Sequence, residues 1–204
     1  MVHKLVVEPG ITDPAVIDAM LEVPRHRFVD PPLQRQAYSG KALPIGYGQT
    51  ISHPTTVAVM SSVLQIKPGD KILEIGTGSG YQAAVLAAMG AQVVSVERVR
   101  ELAQKARQRL ETLGYFRVAV IIGDGSLGYP ARAPYDGIIV TAASPNIPEA
   151  LLGQLKEGGR LVIPVGSLEQ QNLKIVMKKN GKYLEHILEN FKFVPLRGRK
   201  GWQL

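Results

Sequence analysis

The chain has no cysteine in its 204 residues. Disulfides, thiolate metal centres and cysteine nucleophiles are thereby excluded together, and a reducing, cytoplasmic setting is the expectation. Aromatic residues make up only 6%, with a single tryptophan, so there is no series of stacking platforms for unpaired bases. No apolar run approaches the roughly 18 residues that a membrane span requires. The opening MVHKLVVEPG breaks at Pro9 and Gly10 before a secretory core could form, so neither insertion nor export is expected. The histidines outside the 40–54 stretch, His3, His26 and His186, lack the spacing of metal ligands, and no metal is expected. Acidic residues are in the minority, 17 against 24 lysines and arginines, for a formal charge of +7.

What is present is an ordinary globular balance, 45% hydrophobic and 20% charged, with a mean hydropathy of +0.03, which rules out a disordered or fibrous chain. One domain is expected over 1–204: a helical, loop-rich segment (1–66), a core (67–166) and a carboxyl-terminal segment (167–204). The basic excess gathers late, from Lys174 to Lys200. Lysines alternating along strands read as a solvated sheet face, though such a surface also attracts anions.

Asp13 and Pro14 open an apolar helical spacing through Val16, Ile17, Met20 and Leu21 that Pro24 closes. The stretch GKALPIGYGQTISHP, residues 40–54, holds Gly40, Gly46, Gly48 and Pro44 and favours an irregular loop over a strand or helix. Pro54 then suits the first turn of a helix that ends before Lys67. From residue 71 strands and helices alternate: KILEI, YQAAVLAAM, QVVSVE, RELAQKARQRLETL, RVAVII, YDGIIVTA, a short helix near PEALLGQL, and GRLVIPV. Nearly all-apolar strands between amphipathic helices imply a parallel sheet buried on both faces. After it, NLKIVMKK and KYLEHILENFKFV flank Asn180-Gly181, a strong hairpin signal. The fold class expected is α/β, a doubly wound, mostly parallel Rossmann-like sheet with an antiparallel carboxyl-terminal hairpin and a helical, loop-rich amino-terminal segment.

The chemistry concentrates where KILEI runs into Gly76-Thr77-Gly78-Ser79-Gly80-Tyr81. Glycines there let the backbone turn sharply and approach a ligand, and the following helix offers free amides. A dinucleotide fingerprint needs its third glycine one residue later than Gly80, which argues against a nicotinamide cofactor. Glu74, two residues before a G-x-G-x-G turn, resembles instead the first motif of Rossmann-like S-adenosylmethionine-dependent methyltransferases. Glu97 ends the next strand, where a carboxylate can accept both ribose hydroxyls of an adenosine group. Asp124, between Gly123 and Gly125, ends the third. Taken singly these are a surface glutamate and a turn aspartate; together they fall at the carboxyl ends of successive strands, the side on which such sheets bind ligands.

From about Val23 to Leu196 the chain resembles the protein-L-isoaspartate O-methyltransferase family. The resemblance rests on PRHRFV, IGYGQTIS, LEIGTGSGYQAAVLA, VVSVER, GDGSLGYP, YDGIIVTAA, LKEGGRLVIPVG and FVPLRG. It implies transfer of a methyl group from S-adenosyl-L-methionine to the free α-carboxylate of L-isoaspartyl residues in damaged proteins and peptides. It further implies Ser52 and Thr50 as catalytic residues. The cofactor would be held by Ile51, Glu74, Gly76, Thr77, Gly78, Ser79, Gly80, Glu97, Arg98, Asp124, Gly125 and Thr141. The substrate would be lined by Ala142, Ala143, Val194, Pro195 and Leu196. A carboxylate is already ionised at neutral pH, its ordinary pKa being about 4, so the displacement needs no general base.

One departure stands out. The family usually continues Thr-Ile-Ser with Ala-Pro-His, whereas this chain has His53-Pro54-Thr55; either His53 takes up part of that role or the reaction does without it. Ser52 also has a plain reading, as the cap of the helix that starts at Pro54. Two other functions remain open at this point: an S-adenosylmethionine-dependent RNA methyltransferase, suggested by the basic end, and a cofactor-binding module without turnover. Neither a membrane nor a nucleic-acid partner is expected, and a monomer is.

Overall fold

The computed structural model describes residues 1–203. Asp13 accepts a hydrogen bond at 3.0 Å from the Ala15 amide, capping α1 (Pro14–Glu22), and Val16, Ala19 and Met20 form its buried stripe. Residues 40–54 depart from the expected irregular loop. They form an antiparallel hairpin of β1 (Leu43–Gly46) and β2 (Gln49–Ile51), with Tyr47 and Gly48 at the turn at φ +55° and +68°. Two consecutive left-handed residues are what a tight hairpin turn requires. Tyr47 is an unusual residue for that position, which is why turn chemistry did not reveal it.

Helix α2 (Pro54–Leu64) follows, then β3 (Lys71–Ile75), α3 (Tyr81–Ala88), β4 (Gln92–Glu97), α4 (Arg100–Thr112), β5 (Val118–Ile122), β6 (Tyr135–Val140), the short α5 (Glu149–Gly153) and three long strands, β7 (Leu155–Gly166), β8 (Gln171–Lys179) and β9 (Lys182–Phe191). Helix α4 shows why the pattern was legible, since Leu102, Ala103, Ala106 and Leu110 are buried and lie on one face at helical spacing.

The seven strands β3 to β9 make one sheet in the order β5-β4-β3-β6-β7-β8-β9. Strands β3 to β7 pair in parallel, while β8 runs antiparallel to both β7 and β9. The sheet is therefore a doubly wound parallel one extended by an antiparallel meander, with Asn180 and Gly181 in left-handed conformations at its last turn. Strand order reverses between β3 and β6, and a crevice opens at such a switch point beyond the carboxyl ends of the strands. Among the described residues no helix is long and apolar enough to cross a membrane.

Candidate active site

Strand β3 ends in a glycine turn whose Gly76, Gly78 and Gly80 lie at φ +93°, +52° and +89°, conformations that disfavour any residue with a Cβ. At Gly76 a Cβ would also collide with the Thr141 hydroxyl, which donates to the Gly76 carbonyl at 2.6 Å. Thr141 thus ties the end of β6 to the turn after β3. A Cβ at Gly78 would meet only the tip of Ile45, at 3.4 Å, so this glycine keeps the backbone open toward the cleft. Gly80 serves packing instead, facing Leu110 of α4 at 3.3 Å.

The cleft beside this turn has two lobes that share Gln49, Gly76, Glu97 and Ala142. One, with about 480 Å³ of open space, is lined by Thr50, Ile51, Ser52, Thr77, Gly78, Ser79, Tyr81, Gln82, Thr141 and Val194 among others. Its neighbour, of about 580 Å³, is lined by Tyr47, Arg98, Val99, Gly125, Pro195, Leu196 and Arg197 among others. The β1–β2 hairpin thus closes the cleft from one side and the chain after β9 from the other.

Glu97, at the end of β4, is only 6% exposed. Its Oε2 accepts from the Gly78 amide and its Oε1 from the Val99 amide, both at 3.0 Å. A carboxylate has about four acceptor positions, so Glu97 fixes the glycine turn while retaining lone pairs toward both lobes. A short, nearly buried acceptor beside an open glycine cradle suits a ligand with paired hydroxyls, and the residues present fit an adenosine-bearing cofactor.

Three expected cofactor residues do not line the cleft. Gly80 lies behind it, as described. Glu74 is fully buried: Ser95 donates to its Oε2, and Thr77 Oγ1 lies 2.5 Å from Ser95 Oγ. Burial pushes the Glu74 carboxyl up to about 8, the Ser95 hydrogen bond only partly opposing this and the nearby Glu97 adding to it. Burial thus biases Glu74 toward its neutral form behind the turn, where it supports Thr77 through Ser95. Asp124 is occupied by the chain itself. Its Oδ1 accepts from the Ser126 amide and hydroxyl at 3.0 and 2.7 Å, and its Oδ2 from the Arg199 amide at 2.8 Å.

Of the expected substrate residues, Ala142, Val194, Pro195 and Leu196 line the cleft. Ala143 does not; it pairs by backbone with the terminal segment, donating to the Val194 carbonyl at 2.8 Å and accepting from the Leu196 amide at 2.7 Å. The cap of α2 is His53, whose Nδ1 accepts from the Thr55 amide at 3.2 Å, so Ser52 does not fill that place. Thr55 donates to the Leu5 carbonyl at 2.5 Å, and neither His53 nor Thr55 lines the cleft. Sequence reasoning missed Tyr47, Gln49, Tyr81, Gln82 and Val99 among the lining residues. Tyr81 alone had a visible signal, as the first residue after the glycine turn.

A doubly wound sheet, a glycine turn at its switch point and an acidic residue closing the adjacent strand define the class of Rossmann-like methyltransferases. The chain matches the family described as Protein-L-isoaspartate(D-aspartate) O-methyltransferase over residues 1–201, and it belongs to that family. It is 50% identical over 203 residues to the protein-L-isoaspartate O-methyltransferase of Methanoregula boonei, covering 100% of this chain and 94% of that one. The corresponding protein of Methanoculleus marisnigri is 52% identical over 203 residues, covering 100% and 92%. Among solved structures, a protein-L-isoaspartate O-methyltransferase superimposes with a TM-score of 0.88 at 32% identity, over 98% of this chain and 67% of that one. A putative protein-L-isoaspartate O-methyltransferase from Plasmodium falciparum, in complex with S-adenosyl-L-homocysteine, gives 0.83 at 26% identity over 96% of each. A precorrin-6y C5,15-methyltransferase from Geobacter metallireducens, at 16% identity and TM-score 0.53 over 70% of this chain and 90% of that one, shares the fold.

Proposed function

We propose that this chain is a protein-repair methyltransferase that transfers the methyl group of S-adenosyl-L-methionine to the free α-carboxylate of L-isoaspartyl residues in proteins and peptides. The observation that carries this reading is the family match along 1–201, together with a cleft in which the Thr50–Ser52 stretch and the glycine turn line the same space.

Bound in the cleft, the cofactor supplies a sulfonium methyl whose bond to sulfur breaks as a bond to the carboxylate oxygen forms. In this reading Glu97 receives the ribose hydroxyls, the Gly76–Ser79 turn borders the cofactor, and Arg98 and Gly125 line the far lobe of the cleft. Ser52, with Thr50 beside it, donates to the substrate carboxylate and orients one oxygen. Such a donor need take no proton, because the carboxylate is already ionised. Ala142 leaves room for a peptide between β6 and the Val194–Leu196 strap. The hairpin and the strap exclude water and hold the reactants near contact, where proximity lowers the barrier by several kcal/mol, about 7 to 11 at best. The resulting ester closes to a succinimide by attack of the neighbouring peptide nitrogen, expelling methanol, and hydrolysis of the ring returns part of the material as normal aspartate.

The test is incubation of the protein with S-adenosyl-L-methionine and a short L-isoaspartyl peptide, followed by mass spectrometry. A base-labile monomethyl peptide that decays to the succinimide is the expected product. A methylated peptide stable to base, or methyl transfer to RNA alone, overturns the reading.

A further inference from the structure

Arg25 is 0% exposed, and among the described residues it forms no ion pair. A buried cation without a carboxylate partner costs stability unless other groups satisfy it, and here those groups are backbone carbonyls on either side of the β1–β2 hairpin. Its Nε donates to the Ala37 carbonyl at 2.8 Å, and its Nη2 to the Lys41 carbonyl at 3.3 Å and to the Ser52 carbonyl at 2.8 Å. Both ends of the hairpin-bearing segment are therefore tied to one guanidinium.

The same guanidinium lies 4.9 Å from the centre of the Tyr81 ring. Tyr81 begins the helix after the glycine turn and lines the cleft beside Ser52. Its ring meets Phe28 edge-on at 5.5 Å, and Arg109 lies over Phe28 at 6.0 Å. Arg109 in turn donates to the Ser79 carbonyl at 2.8 Å. A run of contacts, Arg25–Tyr81–Phe28–Arg109, with an arginine at each end and two rings meeting edge-on between them, thus leads from the carbonyl of Ser52 to the carbonyl of Ser79. Arg25 Nη1 and the Tyr81 hydroxyl are both buried without a partner, so contact with the ring face and the three carbonyls offsets the desolvation.

The geometry points to Arg25 as a positioning residue that, through Tyr81, sets the Ser52 loop in register with the glycine turn, so that the acceptor and donor halves of the site move as one unit. The inference rests on the methyl-transfer reading for its catalytic consequence but not for its structural one. A loop free to shift by an ångström loses alignment at the reacting atoms, which costs up to about a hundredfold in rate.

The experiment compares wild type with Arg25→Lys, which keeps the charge but lacks the planar fork, at a temperature where unfolding curves show both fully folded. At saturating cofactor and isoaspartyl peptide, kcat is expected to fall about ten- to a hundredfold, while the dissociation constant for S-adenosyl-L-homocysteine changes by no more than about threefold. Amide hydrogen exchange at residues 49–53 is expected to quicken about tenfold or more, with exchange in β4 and β6 unchanged. A purely structural Arg25 would speed exchange throughout the amino-terminal segment and leave the folded enzyme's kcat intact, which overturns the inference. An unchanged rate, or a slowed rate with exchange at 49–53 unchanged, overturns it as well. If Arg25→Lys does not fold, Tyr81→Leu, which removes the ring and leaves Arg25 in place, must quicken exchange at 49–53. If wild type itself transfers no methyl to the peptide, the functional reading fails, and the exchange comparison alone decides the role of Arg25.

Discussion

Asp124 and Arg199 are joined across 75 residues of sequence: Oδ2 of the aspartate accepts the arginine's backbone amide at 2.8 Å. Beside it Ser126 Oγ accepts from the Lys200 amide at 3.0 Å, and a Cβ at Gly198 would collide with the same carboxylate. Burial raises the Asp124 carboxyl, but the Arg199 amide and both groups of Ser126 outweigh it and hold the carboxyl below its ordinary value of 3.8. Asp124 therefore fastens the strap that roofs the cleft.

Replacing Asp124 by Ala should loosen that strap. The single tryptophan, Trp202, follows this segment and is held to it by its backbone amide, which donates to the Leu196 carbonyl at 2.7 Å, so its fluorescence should shift to the red. In wild type the lowered carboxyl value means that the strap's stabilisation is complete above pH 3.8 and is lost only as pH falls through the folded value. Acid titration of Trp202 emission checks both points. Emission unaltered by Asp124→Ala would contradict the fastening role.

Glu97→Ala removes the acceptor of the Gly78 and Val99 amides together with the expected ribose contact. Hydrogen bonds to a charged group are worth about 1.5 to 3 kcal/mol. The dissociation constant for S-adenosyl-L-homocysteine, measured by calorimetry, should therefore rise by about ten- to a hundredfold, with a smaller effect on kcat at saturation.

Glu74 should make stability depend on pH. Its folded value of about 8 lies above the ordinary 4.5, so the folded chain holds this proton more tightly than the unfolded one. The stabilisation it contributes is complete below pH 4.5 and is lost as pH rises to about 8. Glu74→Gln keeps an acceptor for Ser95 without the titration. Urea unfolding should show wild type losing stability relative to the variant across that window, with a slope approaching 1.4 kcal/mol per pH unit, about one proton's worth. Parallel curves would show that Glu74 does not bind this proton.

If Ser52 donates to the substrate carboxylate as proposed, Ser52→Ala should slow transfer about tenfold or more, with cofactor affinity unchanged. His53→Ala should behave oppositely. It removes the cap of α2 and costs about 1 kcal/mol of stability, while kcat at full folding stays within about twofold. A large loss of kcat in His53→Ala would mean that this histidine takes up the role of the one missing at Thr55.

The parallel sheet was readable because its strands are short apolar runs separated by helical segments, of which α4 carries one buried stripe and α3 is buried on nearly every side. The place of Glu97 at the cleft was readable as well, because the end of a strand beside the glycine turn faces the switch-point crevice. Less visible was what depends on contacts distant in sequence. Nothing near Asp124 indicates that the Arg199 amide will claim its carboxylate, and nothing near Glu74 distinguishes a ligand-facing acid from one sealed behind the turn. Nothing in PRHRF marks Arg25 as buried, since its acceptors at Ala37, Lys41 and Ser52 lie 12, 16 and 27 residues away. Tyr47 concealed the hairpin because a left-handed turn is ordinarily built from glycine or asparagine.

The most direct measurement is the rate of methyl transfer from labelled S-adenosyl-L-methionine to two peptides of identical sequence, one with L-isoaspartate and one with normal aspartate at the same position. Transfer to the isoaspartyl peptide alone is the predicted result. Equal transfer to both, or none to either while S-adenosyl-L-homocysteine still binds, would contradict the account.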